Sequence, residues 1–407
     1  MIRFANFSGK DKIFLAASFF YIFYVIFPLF ADYTHIPVYV PAIVVVAGVM
    51  LSYPQAFGTS AVKWFFAYAA LLFIYSIAGL PIFINGMNQS LPAIWRITIE
   101  AAWVLPALVI AAVLFSRKDS RLYKIIGIGS LVLLVISFVY ILSLVLSSSN
   151  ILREDIQELE VLRPMGLPDY GLMHSYTLML VPLCLMIKGG KGKYKTLAWA
   201  LTLLFFYMVT QTAVTTSLFV SIVIFLFAIF YKENSGQRTI FGLGFFCFVL
   251  FVLYTQGFFL WLVDSLMPFF EDTAVSFKLQ DFHDSLAQGS VTGESLTGRM
   301  DYHDISKASF WASPIIGGGE VGGHSKILDL LGSMGLLVFI PFVMVIWKSL
   351  RTQMAEVAYN KELKMFLILC YAISLVYLYE KGIFGASGWL FMLVIVPCAI
   401  LAQSKEA

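Results

Sequence analysis

Charge is what this chain of 407 residues has least of. Asp, Glu, Lys and Arg make up 13% of it, against roughly 25% in an average soluble domain. That shortage excludes a soluble globule, whose surface polar side chains must cover. The balance is also nearly even: 27 Lys and Arg against 24 Asp and Glu leave a formal charge of +3, so no nucleic-acid partner is expected. Cysteine is scarce as well. Cys184, Cys247, Cys370 and Cys398 lie in separate apolar runs, without the spacing of a metal site or a disulfide framework, and read as core or lipid-facing side chains. No metal or cofactor is expected. A strong internal repeat is missing too, which argues against transporter folds built from inverted halves.

What the chain has in quantity is apolar surface, 60% of its residues. At roughly 20 apolar residues per bilayer crossing, about 12 crossings would use nearly all of that supply. Apolar windows bounded by polar, Gly or Pro residues lie near 12–31, 37–53, 63–84, 93–115, 124–147, 172–187, 196–213, 214–231, 239–260, 325–347, 365–381 and 385–402. The first window follows Arg3, Lys10 and Lys12 as a signal peptide would. It is too long for one and lacks a clear small-residue cleavage site, so it reads as a retained span. The expected fold is an all-α integral membrane protein of about 12 transmembrane helices, forming one polytopic domain over 1–407. A large, partly helical extracytoplasmic loop, 261–324, joins spans nine and ten, and a second outer loop covers 148–171.

The charges orient this arrangement. With the N-terminus inside, 19 of the 27 Lys and Arg fall in cytoplasmic segments, while 18 of the 24 Asp and Glu fall on or near the outer side. Positive residues are retained in short cytoplasmic loops, so both termini are expected inside and polar chemistry outside.

The outer segments supply the candidate residues. His324 follows Gly322-Gly323 and precedes the apolar run SKILDLLGSMGLLVFIPF, which puts it at or just before the N-terminus of a membrane helix, an end with unpaired N–H groups and partial positive charge. The tract IIGGGEVGGH, 315–324, lets backbone amides approach an anion closely; a turn with a capping residue is the plainer alternative. Arg299 opens a short helix, to Trp311, with His303 at i+4 and Asp301 and Asp304 on neighbouring faces. A guanidinium there can bind phosphate oxygens in a bidentate way, or the helix is simply solvated. Arg163 stands in L-R-P-M-G-L-P-D-Y-G before the sixth span, a second outer Arg for the same anion. His174 at the start of that span reads as core. Arg96 and Glu100, at i and i+4 in the fourth window, are spaced to form a shielded pair, and Glu380-Lys381 has the same standing.

The stretch 295–337 resembles the C-terminal motif of the O-antigen polymerase and ligase superfamily. Gly298-Arg299, Ser313-Pro314, Ile316-Gly317-Gly318-Gly319, His324 and Gly335-Leu336 fit that motif in order, and Arg163-Pro164-Met165-Gly166 with Pro168 resembles the superfamily's R-x-x-G segment. One departure stands out. Many relatives carry Ser-Arg at an outer helix end midway along the chain, where Val209-Thr210-Gln211-Thr212-Ala213 puts Gln211 in place of Arg, so Arg96 or Lys381 would have to substitute.

The resemblance implies a metal-independent, inverting glycosyltransferase in the bacterial cytoplasmic membrane, acting on its periplasmic or extracellular face. The donor would be a glycan on polyprenyl (undecaprenyl) diphosphate, the acceptor a glycan hydroxyl. Arg299 and Arg163, with Arg96, Gln211 and Lys381, would bind the diphosphate, and His324 would act as base or acceptor-orienting group. Membrane lipids, a chain-length regulator and a flippase are the expected partners. The leading expectation is a polymerase of lipid-linked repeat units of a surface polysaccharide such as O-antigen, capsule or exopolysaccharide. The alternatives are an O-antigen ligase transferring to a lipid A core, a flippase for the lipid-linked glycan, and a non-catalytic scaffold.

Overall fold

The computed structural model describes residues 7–83, 92–147, 170–211, 215–231, 258–269, 279–280, 283–284, 294–380 and 384–403. Among these residues the regular elements are all helical. In chain order the main helices are α1 (Gly9–Ile26), α2 (Pro28–Thr34), α3 (Tyr39–Ser52), α4 (Ser60–Ile77), α5 (Ala93–Arg117), α6 (Ser120–Ser147), α7 (Tyr170–Gly189), α8 (Lys193–Gln211), α9 (Thr215–Phe230), α10 (Phe258–Leu266), α11 (Glu294–Ala312), α12 (Lys326–Glu356) and α13 (Lys361–Glu380). The last, α14 (Ala386–Leu401), winds as a π-helix over Phe391–Ile395. Each apolar window read from the sequence coincides with one of these helices except 239–260, nearly all of which lies outside the described residues.

Among the described residues, six helices are long and apolar enough to cross a membrane: Ser60–Ile77, Ala93–Arg117, Ser120–Ser143, Leu172–Gly189, Lys326–Glu356 and Lys361–Glu380. On α6, Ile128, Val132, Ile136 and Val139 form an exposed stripe at helical spacing, the pattern of a helix meeting lipid rather than water.

The chain forms two compact units, the first comprising 1–141, 163–182 and 302–407, the second 142–162 and 183–301. In the second, α8 and α9 pack side by side with Phe206 and Phe225 edge to face, and His283 sits between the carboxylates of Asp264 (3.3 Å) and Asp284 (3.1 Å).

Helices of the first unit approach closely where a glycine meets another backbone. A Cβ on Gly127 of α6 would lie 3.0 Å from the Ala399 amide of α14, so the small residue lets the two backbones touch, as membrane helices often require. Backbone groups freed by proline are satisfied from neighbouring helices. Pro106 cannot donate to the Ala102 carbonyl, and Tyr21 of α1 donates to it instead (3.2 Å). Pro397 leaves the Leu393 carbonyl, and Gln353 Nε2 of α12 donates there (2.9 Å).

One end of this bundle is tied by charge. Asp11, in a capping box with Ser8 at the start of α1, meets Arg117 Nη1 at 2.6 Å and accepts from Tyr53 Oη at 2.5 Å. Lys118 pairs with Glu356 at 3.0 Å and Arg121 with Asp119 at 2.8 Å. Cys184, Cys370 and Cys398 are buried thiols, and Cys247 lies outside the described residues. His174 is buried with its ring stacked 4.3 Å from that of Tyr377, in keeping with a core role.

Candidate functional site

Helix α5 is 25 residues long, and Arg96, its fourth residue, stands 21 residues ahead of Arg117, about 31 Å at 1.5 Å per residue. The two guanidinium groups therefore mark opposite faces of a layer as thick as a bilayer core. The Arg96 guanidinium donates through Nη1 to the Ile82 carbonyl in the segment after α4. Glu100, one turn deeper, does not form the expected pair with Arg96. It is 1% exposed and binds Lys326 Nζ at 2.6 Å, with Tyr68 Oη 3.4 Å away. Lys326, itself 2% exposed, reaches Glu100 from the start of α12, and a buried carboxylate takes the cation that fully desolvates with it. Nothing in the sequence set Lys326 apart from the loop lysines.

Helix α12 is bent, and the bend builds the site. Gly335 has φ 61° and ψ −166°, backbone that only glycine adopts readily. A Cβ there would lie 2.4 Å from the Ile315 carbonyl. Lys326 Nζ stands 5.6 Å from the Phe342 ring centroid, although sixteen residues of straight helix would separate them by about 24 Å. The sequence run that predicted a membrane helix starting after His324 therefore makes a short arm, 326–334, turning sharply into a second, 336–356. The second arm, about 31 Å long, suffices to cross a bilayer by itself.

The glycine-rich tract lies against the short arm, between it and α11. Leu336 and Leu337, whose amides the bend releases, donate to the Pro314 and Ile315 carbonyls (2.9 and 3.0 Å). Tyr75 Oη of α4 is within hydrogen-bond distance of the Ile316 and Met334 carbonyls (3.2 and 3.1 Å). Gly318 and Gly319 donate to the Gly332 carbonyl, Glu320 N to Ser309 Oγ, and Gly322 N to Ser306 Oγ. Gly322 has no room for a side chain: a Cβ would lie 2.1 Å from the Tyr302 carbonyl oxygen.

From the sequence the tract is either an anion site or a turn with a capping residue, and in the structure its amides are bonded within the protein. The anion it holds is its own. Buried Asp329 accepts from Gly323 N (3.2 Å) and Ser306 Oγ (2.6 Å) through Oδ1 and from Ser325 N (3.1 Å) through Oδ2. The arm itself is capped by Ser325, whose Oγ accepts from Leu328 N. A carboxylate one turn into the helix has filled the site a phosphate would take at its N-terminus.

Beside the tract lies a pocket of about 630 Å³, lined by Leu80, Pro81, Ile82, Phe83, Arg96, Ile305 and the tract residues 319–323. Among the described residues its charged lining is Arg96 and Glu320. His324 sits next to it in sequence, exposed, with its ring tilted against that of Tyr302, centroids 4.5 Å apart; it is not a lining residue. His303 is half-buried against Tyr379, while Asp301 and Asp304 are exposed and Asp304 pairs with Lys307 at 2.9 Å. Arg163 and Lys381 lie outside the described residues. Arg299 is in the helical backbone of α11 and Gln211 ends α8, with both side chains outside the described set. Of the expected diphosphate ligands, Arg96 is thus the one whose side chain is described at a pocket. Among the described residues, no group of three or more His, Cys, Asp or Glu side chains is placed to hold a metal ion.

Comparison with known proteins adds no relative: no family model matches the chain, and neither a curated protein nor a solved structure is similar to it.

Proposed function

We propose that this protein is a polymerase of lipid-linked oligosaccharides, a bacterial cytoplasmic-membrane glycosyltransferase of about 12 spans that joins polyprenyl-diphosphate repeat units on the outer face. One observation carries the reading: Arg96 lines a pocket of about 630 Å³ at the end of α5 opposite the charged cluster around Arg117. Basic residues gather at the Arg117 end, as they do on the cytoplasmic side of membrane proteins, which supports a pocket that faces outward. A diphosphate is already a good leaving group, and the demand on the protein is to meet the charge that grows as the anomeric C–O bond breaks. Arg96 supplies a cation for that purpose, the resemblance of the sequence assigns Arg299 and Arg163 the same role, and His324, next after the glycine tract, orients the acceptor.

The test is direct. Proteoliposomes containing the protein and lipid-linked oligosaccharide are expected to release polyprenyl diphosphate and lengthen the glycan, and Arg96→Ala to lower that rate by about 10²- to 10³-fold. Movement of the lipid across the bilayer with no new bond would establish a flippase instead. In cells, loss of the gene is expected to leave single-unit glycans; long chains stranded on the lipid carrier would identify a ligase.

A further inference from the structure

Removing a proton from the acceptor is the part of this reaction that the cations cannot perform, and it needs a group inside the pocket. Two nearby carboxylates are already committed. Asp329 is buried under three donors, and Glu100 is buried against Lys326. His324 stands outside the lining, packed on Tyr302.

Glu320 is different in each respect. Its side chain is exposed and lines the pocket that Arg96 also lines. Its backbone is fixed by the bond from its amide to Ser309 Oγ at 3.0 Å, and its neighbours Gly319 and Val321 line the same pocket. Gly319 in turn is held to the Gly332 carbonyl and packs so that a Cβ would meet Pro81 at 2.7 Å. A carboxylate on a backbone held in this way, lining one cavity with an arginine, suits general-base catalysis of a displacement whose leaving group is an anion.

On the proposed function, we infer that Glu320 is the general base and hence a catalytic residue. The acceptor O–H bond breaks and its proton passes to a carboxylate oxygen of Glu320. The oxygen's electron pair forms the new bond to the anomeric carbon as the bond from that carbon to the diphosphate oxygen breaks. Polyprenyl diphosphate leaves with the electron pair, and Arg96 meets its charge. His324 orients the acceptor from the rim and takes no proton.

The experiment uses the full-length protein in proteoliposomes, with lipid-linked oligosaccharide extracted from a strain lacking the gene. Glu320→Gln is expected to bind undecaprenyl diphosphate within about twofold of the unaltered protein while turning over 10²- to 10⁴-fold more slowly. Glu320→Ala supplied with azide is expected to release polyprenyl diphosphate and form a glycosyl azide, because azide has no proton to lose. A merely structural role for Glu320 would give no such rescue. Unchanged turnover in Glu320→Gln overturns the assignment, as does a Glu320→Ala protein that binds undecaprenyl diphosphate but yields no azide product; both leave the polymerase reading standing. An unaltered protein that consumes no lipid-linked oligosaccharide overturns the polymerase reading and this inference together.

Discussion

Lys326 and Glu100 show how much one side chain can decide inside an apolar layer. The pair links the short arm of α12 to α5 at 2.6 Å with both partners almost fully buried. Removing one charge strands the other, at a cost of about 3–5 kcal/mol, whereas replacing both with apolar residues of similar size can be close to neutral. Lys326→Met is therefore expected to lower the thermal stability of the detergent-solubilised protein sharply. The double variant Lys326→Met/Glu100→Leu should recover most of the loss, which a double-mutant cycle measures. Asp329→Asn tests the tract in the same way: it weakens charge-assisted bonds from Gly323, Ser325 and Ser306, worth about 1.5–3 kcal/mol each at most. Limited proteolysis is expected to become faster between residues 315 and 324. At this scale the sequence was a partial guide. It drew attention to His324, Arg96, Glu100 and the glycines. It paired Glu100 with Arg96 because i, i+4 spacing is visible in a sequence, while a partner 226 positions away is a product of the fold. It offered the glycines as open to a ligand or as a capped turn, since nothing in their order reveals that the Ser313 and Gly332 carbonyls, Ser306 and Asp329 already occupy their amides.

Among the elements, α12 departs most from what its sequence suggests. The helices themselves were readable, because a long apolar run in lipid has no alternative to helix. The bend at Gly335 was not, because glycine and small residues in G-S-M-G-L-L also occur in straight membrane helices, and the deciding fact is the carbonyl of Ile315 packed against that position. Gly335→Ala should be destabilising by about 1–3 kcal/mol, the cost of holding a side chain at a positive φ. It should also reduce turnover in the assay described above, since the tract beside the pocket is bonded to the residues that follow the bend. Equal activity and an unchanged melting temperature would mean that the two arms can straighten without disturbing the site.

At the scale of the whole molecule, the separation of Arg96 from Arg117 defines an axis, and the proposed orientation follows from it. A cysteine at position 320 is expected to react with an impermeant thiol reagent added outside intact cells, and one at position 118 only after the membrane is opened; the reverse pattern would invert the topology. The charged end also carries a pH dependence. Hydrogen bonds from Arg121, helped by its charge and that of Arg117 and opposed by burial, hold the Asp119 carboxyl below the usual carboxylate range. A depressed value contributes stability that is present in full above the unfolded value and disappears as pH falls through the folded one. Asp119→Asn should thus melt below the unaltered protein at neutral pH, with the gap closing as the pH drops below about 4. Composition and the bias of the basic residues had already suggested this axis, while the way α11, the tract and α12 converge beside it had no signature in the sequence.

Glycine-rich segments are commonly pictured as the parts of a protein that exchange with solvent fastest. In 317–325 nearly every amide is spoken for, by the Ser313 and Gly332 carbonyls, two serine hydroxyls and the Asp329 carboxylate. Deuterium uptake there should accordingly be slow, as it is for amides whose release needs cooperative opening, leaving a wall beside the pocket that holds its shape whether or not a ligand is present.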